Sequence, residues 1–248
     1  MLMEERFSRI LALVDQEGSV KIADLVQRLD ISESTVRRDL SAMDEKGMLV
    51  KVHGGAISLN RPQVTVRDES IGKRKAQFTE EKRRIAKYAA SLIQPNDLVF
   101  LDAGTTTELL LDYLSLRDAS FVTHAVNHAL RLSAMGFKVY LLGGEMKSIT
   151  EIVFGEQTVG ALSKFRFSKG FFGTNGISLA GGYTTPDPRE AAVKAAALAA
   201  CRQRYILADE SKFNTESYVR FARFKEATVI TNRKPEGDLN EQENILIV

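Results

Sequence analysis

Hydrophobic positions change their period along this chain. Ile10, Leu11, Leu13 and Val14 share one helix-length window, and Ile22, Leu25, Val26 and Leu29 recur at i, i+3, i+4 and i+7. That spacing is the apolar stripe of an amphipathic helix. Asp30-Ile31-Ser32 interrupts the stripe, with Ser32 placed to cap the next helix. Val36, Leu40 and Met43 resume it until Gly47 stops the helix. Residues 48–52 and 56–59 are short strand-like runs on either side of His53-Gly54-Gly55, the pattern of a hairpin. Three helices and a hairpin in the first 58 residues predict a winged helix-turn-helix.

The pattern then lapses. Residues 61–82 are polar and aperiodic, with a helix beginning near Thr79-Glu80-Glu81. Beyond them, helical stretches over 82–93, 108–116, 127–134 and 190–201 alternate with strand-like runs at 98–101, 120–123, 138–142, 169–172, 203–208 and 228–231, of which Leu98-Val99-Phe100-Leu101 is continuously apolar. Continuously apolar strands are those covered on both faces. Their alternation with helices predicts a mostly parallel sheet in an α/β domain. The expected boundaries are a head over 1–58, a linker over 59–78 and the α/β domain over 79–248.

Charge sharpens the reading of the head. The chain carries a formal +2 overall, yet residues 1–58 hold 8 basic and 10 acidic side chains, and residues 61–87 hold 9 and 4. An acidic head that binds nucleic acid must focus its positive charge locally. Ser32, Ser34, Thr35, Arg37 and Arg38 open the third helix with short hydroxyl and basic side chains. Such residues suit a helix whose N-terminal end enters the major groove of DNA. Lys51 and His53 place further contacts in the wing. The alternative is that Arg37 and Arg38 pair with Asp39 or Asp44 on a solvated helix. The basic connector is either a solvated linker or an aid to phosphate binding. One cysteine and three scattered histidines exclude a disulfide framework and argue against a structural metal site. No apolar run approaches the ~20 residues of a membrane span, and the acidic, amphipathic start is unlike a secretory signal. The expected location is the cytoplasm.

The α/β domain carries glycine- and threonine-rich loops after its expected strands. Asp102-Ala103-Gly104-Thr105-Thr106-Thr107 passes from a strand into a helix, where free N–H groups and hydroxyls favour an anion. Gly104 is read as the tight turn. Gly143-Gly144 and Gly173-Thr174-Asn175-Gly176 follow two further strands. Asp187, Glu190 and Lys194 stand at the start of the alanine-rich helix, and Lys212 is a fourth polar candidate. In an open parallel sheet such loops converge on one crevice, so a polyol-phosphate site is expected from them. Each loop alone is equally a turn that needs glycine at positive φ, and Glu190 with Lys194 is equally a surface pair.

Ser34-Thr35-Val36-Arg37-Arg38-Asp39-Leu40 followed by His53-Gly54-Gly55-Ala56 resembles the signature of the DeoR family of bacterial transcription regulators. The resemblance continues through Asp102 to Thr107, Gly143-Gly144, Phe172 to Ile177, Thr185-Pro186-Asp187, Glu190 and Ala208-Asp209 with Lys212. It implies a sensor domain related in fold to ribose-5-phosphate isomerase and a phosphorylated sugar as effector. The run from Tyr183 to Lys194 most resembles the fructose operon repressors of Gram-positive bacteria, and the run from Leu142 to Thr150 resembles the lactose and tagatose branch. The resemblance thus implies a repressor of a sugar-catabolism operon that binds operator DNA as a homodimer or homotetramer. Fructose 1-phosphate is the favoured effector, and no cofactor is needed. Many members carry Asn where this chain has His124, a residue that either touches the ligand or caps the next helix. The alternative function is a sugar-phosphate isomerase with an appended head, using Asp102, Asp187, Glu190 and Lys194 as acids and bases.

Overall fold

The computed structural model describes residues 2–52, 54–58, 63–64, 71–115, 118–148 and 150–248, with backbone alone at 16, 63, 64, 71 and 73. The chain divides into two compact units, Met1–Gln63 and Val64–Val248.

In the first unit, α1 (Met3–Glu17) stops at Gly18 and leads into β1 (Ser19–Lys21). Helix α2 (Ile22–Leu29) ends on Asp30 at φ 51°. The turn delivers the chain to α3 (Glu33–Glu45), whose cap Ser32 accepts from the Thr35 N–H. Gly47, at φ 65°, ends α3. Strands β2 (Val50–Val52) and β3 (Gly55–Ile57) form the hairpin, and β1 pairs with the other side of β3. Ile10, Val14, Leu25, Val36, Leu40 and Met43 close the core and are fully buried. The two wing glycines have separate reasons. Gly54 turns at φ 90°, while a Cβ on Gly55 would lie 2.3 Å from the Val20 carbonyl oxygen. Asp39 is buried and receives two hydrogen bonds from Arg6, at 2.7 and 3.0 Å. Asp44 accepts the Lys51 N–H. The two acids offered from sequence as partners for Arg37 and Arg38 are therefore engaged elsewhere.

The second unit begins with the end of β4 (Gln63–Val64), followed by α4 (Ile71–Ala76), α5 (Thr79–Ser91), β5 (Leu98–Leu101) and α6 (Thr105–Leu110). Then come β6 (Ser120–Thr123), α7 (Val126–Ala134), β7 (Lys138–Leu141), β8 (Glu145–Lys147), β9 (Ile152–Phe154), α8 (Glu156–Leu162) and β10 (Phe167–Phe172). The chain continues through β11 (Gly176–Ser178), β12 (Gly182–Thr185), α9 (Pro188–Ala199), β13 (Cys201–Leu207), β14 (Thr215–Glu216), β15 (Val219–Ala222), β16 (Thr228–Thr231) and β17 (Ile245–Ile247). Seven strands form one sheet in the order β17-β16-β13-β10-β5-β6-β7, every neighbouring pair parallel. Both faces are covered. Phe100 and Phe172 pack on one side with Val193 and Leu198 of α9, and Val99, Leu101 and Phe171 pack on the other with Ile85 of α5. This is why the central strand β5, Leu98–Leu101, reads as an unbroken apolar run.

Helix α4 corrects the expected linker over 59–78. Its sequence is too short and too basic to show an apolar stripe. Its last turns are held by tertiary contacts instead: the buried Lys82 ammonium donates to the carbonyls of Arg74 and Gln77, and Lys75 pairs with Glu108 at 2.9 Å. Helix α6 begins three residues earlier than its expected start at 108. Among the described residues, no helix is long and apolar enough to cross a membrane.

Candidate functional site

Strand order reverses between β5 and β10. The chain runs outward from β5 through β6 to β7, then returns to lay β10 on the opposite side of β5 and runs outward again to β17. Loops leaving the carboxyl ends of β5 and β10 must therefore part to opposite sides, and the gap between them is where ligands bind in open α/β sheets. A crevice lies there. One arm is lined by Thr106, Thr107, Gly173, Thr174, Asn175, Lys194, Asp209 and Lys212, among others. The other is lined by Glu108, Asn127, His128, Thr150 and Glu151, among others. Arg74, Ala103, Gly104, Thr105 and Glu190 line both. Among the described residues, Arg74 Nε is buried and without a hydrogen-bond partner. Lys212 is half-buried and has no acidic partner among the described residues.

Beneath the crevice, Asp102 is wholly buried at the end of β5. It accepts hydrogen bonds from the Lys194 ammonium and from the Gly173 N–H at 2.8 Å, and lies 3.0 Å from His124 Nε2. Burial alone would raise its pKa, but the Lys194 charge and the His124 hydrogen bond outweigh it and hold the carboxyl at about 2. Burial likewise opposes the charge on Lys194, and Asp102 and Glu190 override it, so its pKa rises. Lys194 Nζ also donates to the Gly173 carbonyl at 3.1 Å and lies 5.5 Å from the Phe221 ring centroid. The sequence offered this lysine either as part of a polyol-phosphate site or as a surface pair with Glu190. Its charge is instead satisfied by Asp102, and it joins β5, β10 and α9 under the crevice floor.

Other expected residues are placed differently from the sequence reading. Gly104 has φ 161°, an extended conformation open to any residue; what it supplies is room, because a Cβ would stand 3.3 Å from Thr107 Oγ1. His124 neither lines the crevice nor caps α7. It is fully buried, with Nδ1 3.0 Å from the Val153 carbonyl. Gly143 and Gly144 are not brought to the crevice: Gly143 accepts from Thr158, and a Cβ on Gly144 would meet the Phe154 carbonyl at 2.4 Å. Gly176 abuts the Thr215 carbonyl in the same way, at 2.3 Å. Asp187 caps α9 and pairs with Lys147 at 3.1 Å. Asp102, Gly104, Thr105, Thr106, Thr107, Gly173, Thr174, Asn175, Glu190, Lys194 and Lys212 do meet at the crevice or directly below it. Sequence reasoning missed Arg74, Gln77, Lys82, Glu108, Asn127, His128, Thr150, Glu151 and Asp209 as lining residues. The basic excess of residues 61–87 was the signal available for Arg74 and Lys82.

In the head, Ser34, Arg37 and Arg38 are exposed on α3 while Val36 and Leu40 point inward. Arg37 pairs with Glu33 at 2.6 Å in the open, an arrangement worth little in water. Arg38 has no acidic partner among the described residues. Ser32 and Thr35 hydroxyls bond each other at 2.8 Å. Lys51 Nζ reaches Ser41 Oγ at 2.6 Å, which brings the wing lysine to the side of α3. His53 lies outside the described residues. One face of α3 thus presents hydroxyls and two arginines beside the wing.

Two family models together span most of the chain. A DeoR-like helix-turn-helix domain matches residues 6–62, and a DeoR C-terminal sensor domain matches residues 77–233. The HTH-type transcriptional regulator FruR of Bacillus subtilis is 39% identical, over 93% of this chain and 91% of its own. A lactose phosphotransferase system repressor of Staphylococcus epidermidis is 36% identical, over 97% of this chain and 95% of its own. Among solved structures, the sorbitol operon regulator SorC of Klebsiella pneumoniae covers 83% of this chain and 89% of its own at 12% identity and TM-score 0.38. Ribose 5-phosphate isomerase of Methanocaldococcus jannaschii covers 53% of each chain at 14% identity and TM-score 0.40. With a winged head, a parallel sensor domain and regulators rather than enzymes as its relatives, the chain belongs to the DeoR family of DNA-binding transcription regulators.

Proposed function

We propose that this regulator represses a sugar-catabolism operon, fructose utilisation before others, and that a sugar phosphate bound in the crevice controls it. The observation that carries the reading is the crevice itself. It opens where strand order reverses, and Arg74, Lys212 and five threonines share its walls with Asn175 and Glu190. Cations and hydroxyls suit a phosphate; amides and carboxylates suit sugar hydroxyls. Among the described residues no cluster of His, Cys, Asp or Glu is arranged to hold a metal ion, and the reading calls on none. The names of the relatives, a FruR and lactose phosphotransferase system repressors, support sugar catabolism and leave fructose 1-phosphate and tagatose 6-phosphate as rivals.

The head contacts operator DNA through Ser32, Ser34, Thr35, Arg37 and Arg38, with Lys51 and His53 from the wing. Two heads on a symmetric operator require a homodimer or homotetramer, acting in the cytoplasm. The effector changes operator affinity only by as much as it prefers one state of the protein over the other; induction by loss of DNA binding is the direction proposed. Calorimetric titration with fructose 1-phosphate, fructose 6-phosphate, tagatose 6-phosphate, glycerol 3-phosphate and free fructose tests the site. One tightly bound ester, with free fructose not bound, is the expected result. No binding across the panel would overturn the sugar-phosphate reading.

A further inference from the structure

Unanswered polar atoms gather at the crevice. Among the described residues, five buried side-chain nitrogen or oxygen atoms lack a hydrogen-bond partner, and three of the five belong to crevice residues: Arg74 Nε, His128 Nδ1 and Thr150 Oγ1. Buried polar groups are nearly always paired, so this concentration marks where a guest completes the protein.

His128 says what kind of guest. It stands in α7 with 5% of its surface exposed. Thr107 Oγ1 donates its one proton to the Gly104 carbonyl at 3.0 Å. The 3.4 Å contact between His128 Nε2 and that hydroxyl therefore has the ring N–H as donor. Burial drives the imidazole pKa down, against the raising pull of Glu108 and Asp102, to about 4. At neutral pH the ring is uncharged, with its proton on Nε2 and a lone pair on Nδ1. Nδ1 needs a donor. A carboxylate or a phosphate oxygen has no proton to give, and it would also face Glu108, Glu151 and Glu190 in the same arm. A hydroxyl satisfies every one of these groups.

We propose that His128 is a specificity-determining residue of the crevice, its Nδ1 accepting a hydrogen bond from a hydroxyl of the bound ligand while Thr150 meets a neighbouring one. The proposal rests on the effector reading above and deepens it. The arm holding Lys212 takes the phosphate. The arm holding His128 takes the polyol end, which must carry a free hydroxyl. The occupant is a monoester of a sugar or polyol, not a compact anion.

The test is calorimetric titration of the full chain at pH 7.5 with fructose 1-phosphate and tagatose 6-phosphate, in wild type, His128→Asn and His128→Leu. Asparagine sets a carbonyl oxygen close to the place of Nδ1 and keeps an acceptor; leucine offers none. Affinity for the ester that wild type binds should fall about tenfold in His128→Leu and stay within about threefold in His128→Asn. Equal affinity in wild type and His128→Leu overturns the proposal and leaves the effector reading intact. Equal losses in both variants, matched by equal falls in melting temperature, assign His128 a packing role and also overturn it. Should wild type bind neither, the variants are titrated with whichever other ester of the panel it does bind, and failure to bind any ester of the panel removes both readings together.

Discussion

Replacing Lys194 by methionine removes the cation from an ion pair whose side chains are 2% and 0% exposed. The methylene stem is nearly conserved, so packing changes little. Asp102 is left with its charge in a site where burial opposes ionisation, helped only by His124 and the Gly173 N–H. Breaking a buried pair from one side costs about 3–5 kcal/mol. That is a large share of the roughly 5–15 kcal/mol that stabilises a typical domain. In a unit of this size it corresponds to a fall of about 6–20 °C in melting temperature. Urea denaturation should be followed by far-UV circular dichroism, because the chain has no tryptophan, and the transition of the sensor domain should be resolved from that of the head. Adding Asp102→Asn removes the stranded charge while keeping an acceptor for Gly173, so the double variant should recover more than half of the loss. The sign with pH is fixed by both partners. Asp102 is lowered to about 2, so its contribution is present above the usual 3.8 and is lost as pH falls through that interval. Lys194 is raised, so its contribution is complete below 10.5 and is lost only at higher pH. The cost should therefore be the same at pH 6 and pH 8. A loss below about 1 kcal/mol, or a double variant weaker than the single, would refute the reasoning.

Arg38→Ala should cost about 1–3 kcal/mol of operator affinity in a gel-shift assay if the side chain reads a base. An equal loss on scrambled DNA assigns it to phosphate, and no loss on either removes it from the interface. Gly55→Ala should destabilise the head by about 1–3 kcal/mol, because the new methyl meets backbone at Val20 rather than a flexible side chain; an unchanged thermal transition would show that β1 can move aside. His128 supplies a pH signature. Its folded pKa is about 4 against an ordinary 6.5, so the unfolded chain takes up the proton first as pH falls. The sensor domain should lose about 1.4 kcal/mol per pH unit across that window, about 3 kcal/mol in all. The slope should vanish in His128→Asn, and its persistence there would assign it to other groups.

The helices and strands that bury apolar surface were legible in sequence: α2, α5 and α9, and the central strands β5, β6, β10 and β16. Their signal is local and repeats along the element. Three kinds of feature were not legible. Helix α4 has six residues and no apolar stripe; Lys82 and Glu108 hold it from outside. The ribbons β8–β9 and β11–β12 are built from strands of three or four residues. Their glycines and threonines also read as ligand loops. Glycine serves close backbone approach and ligand approach equally, so Gly144 and Gly176 were indistinguishable from Gly173. The hub was hidden for a different reason. Asp102 and Lys194 lie 92 positions apart, and nothing local distinguishes a lysine that meets a ligand from one that meets a buried aspartate.

The placement of Lys194 bears on how the regulator would behave in a genetic screen. Alleles that ignore the inducer yet still silence the operon must leave the protein folded and abundant. Substitutions of Asp102 or Lys194 strand a charge in the interior, so they drain the pool of intact protein and surface as derepressed, loss-of-repressor alleles. Substitutions at the rim, Lys212 and Arg74 among them, spare the interior and are the ones such a screen should return as permanently silent. The two most polar-looking members of the site would thus be scored as folding lesions, and the ligand's own contacts would be mapped by their less conspicuous neighbours.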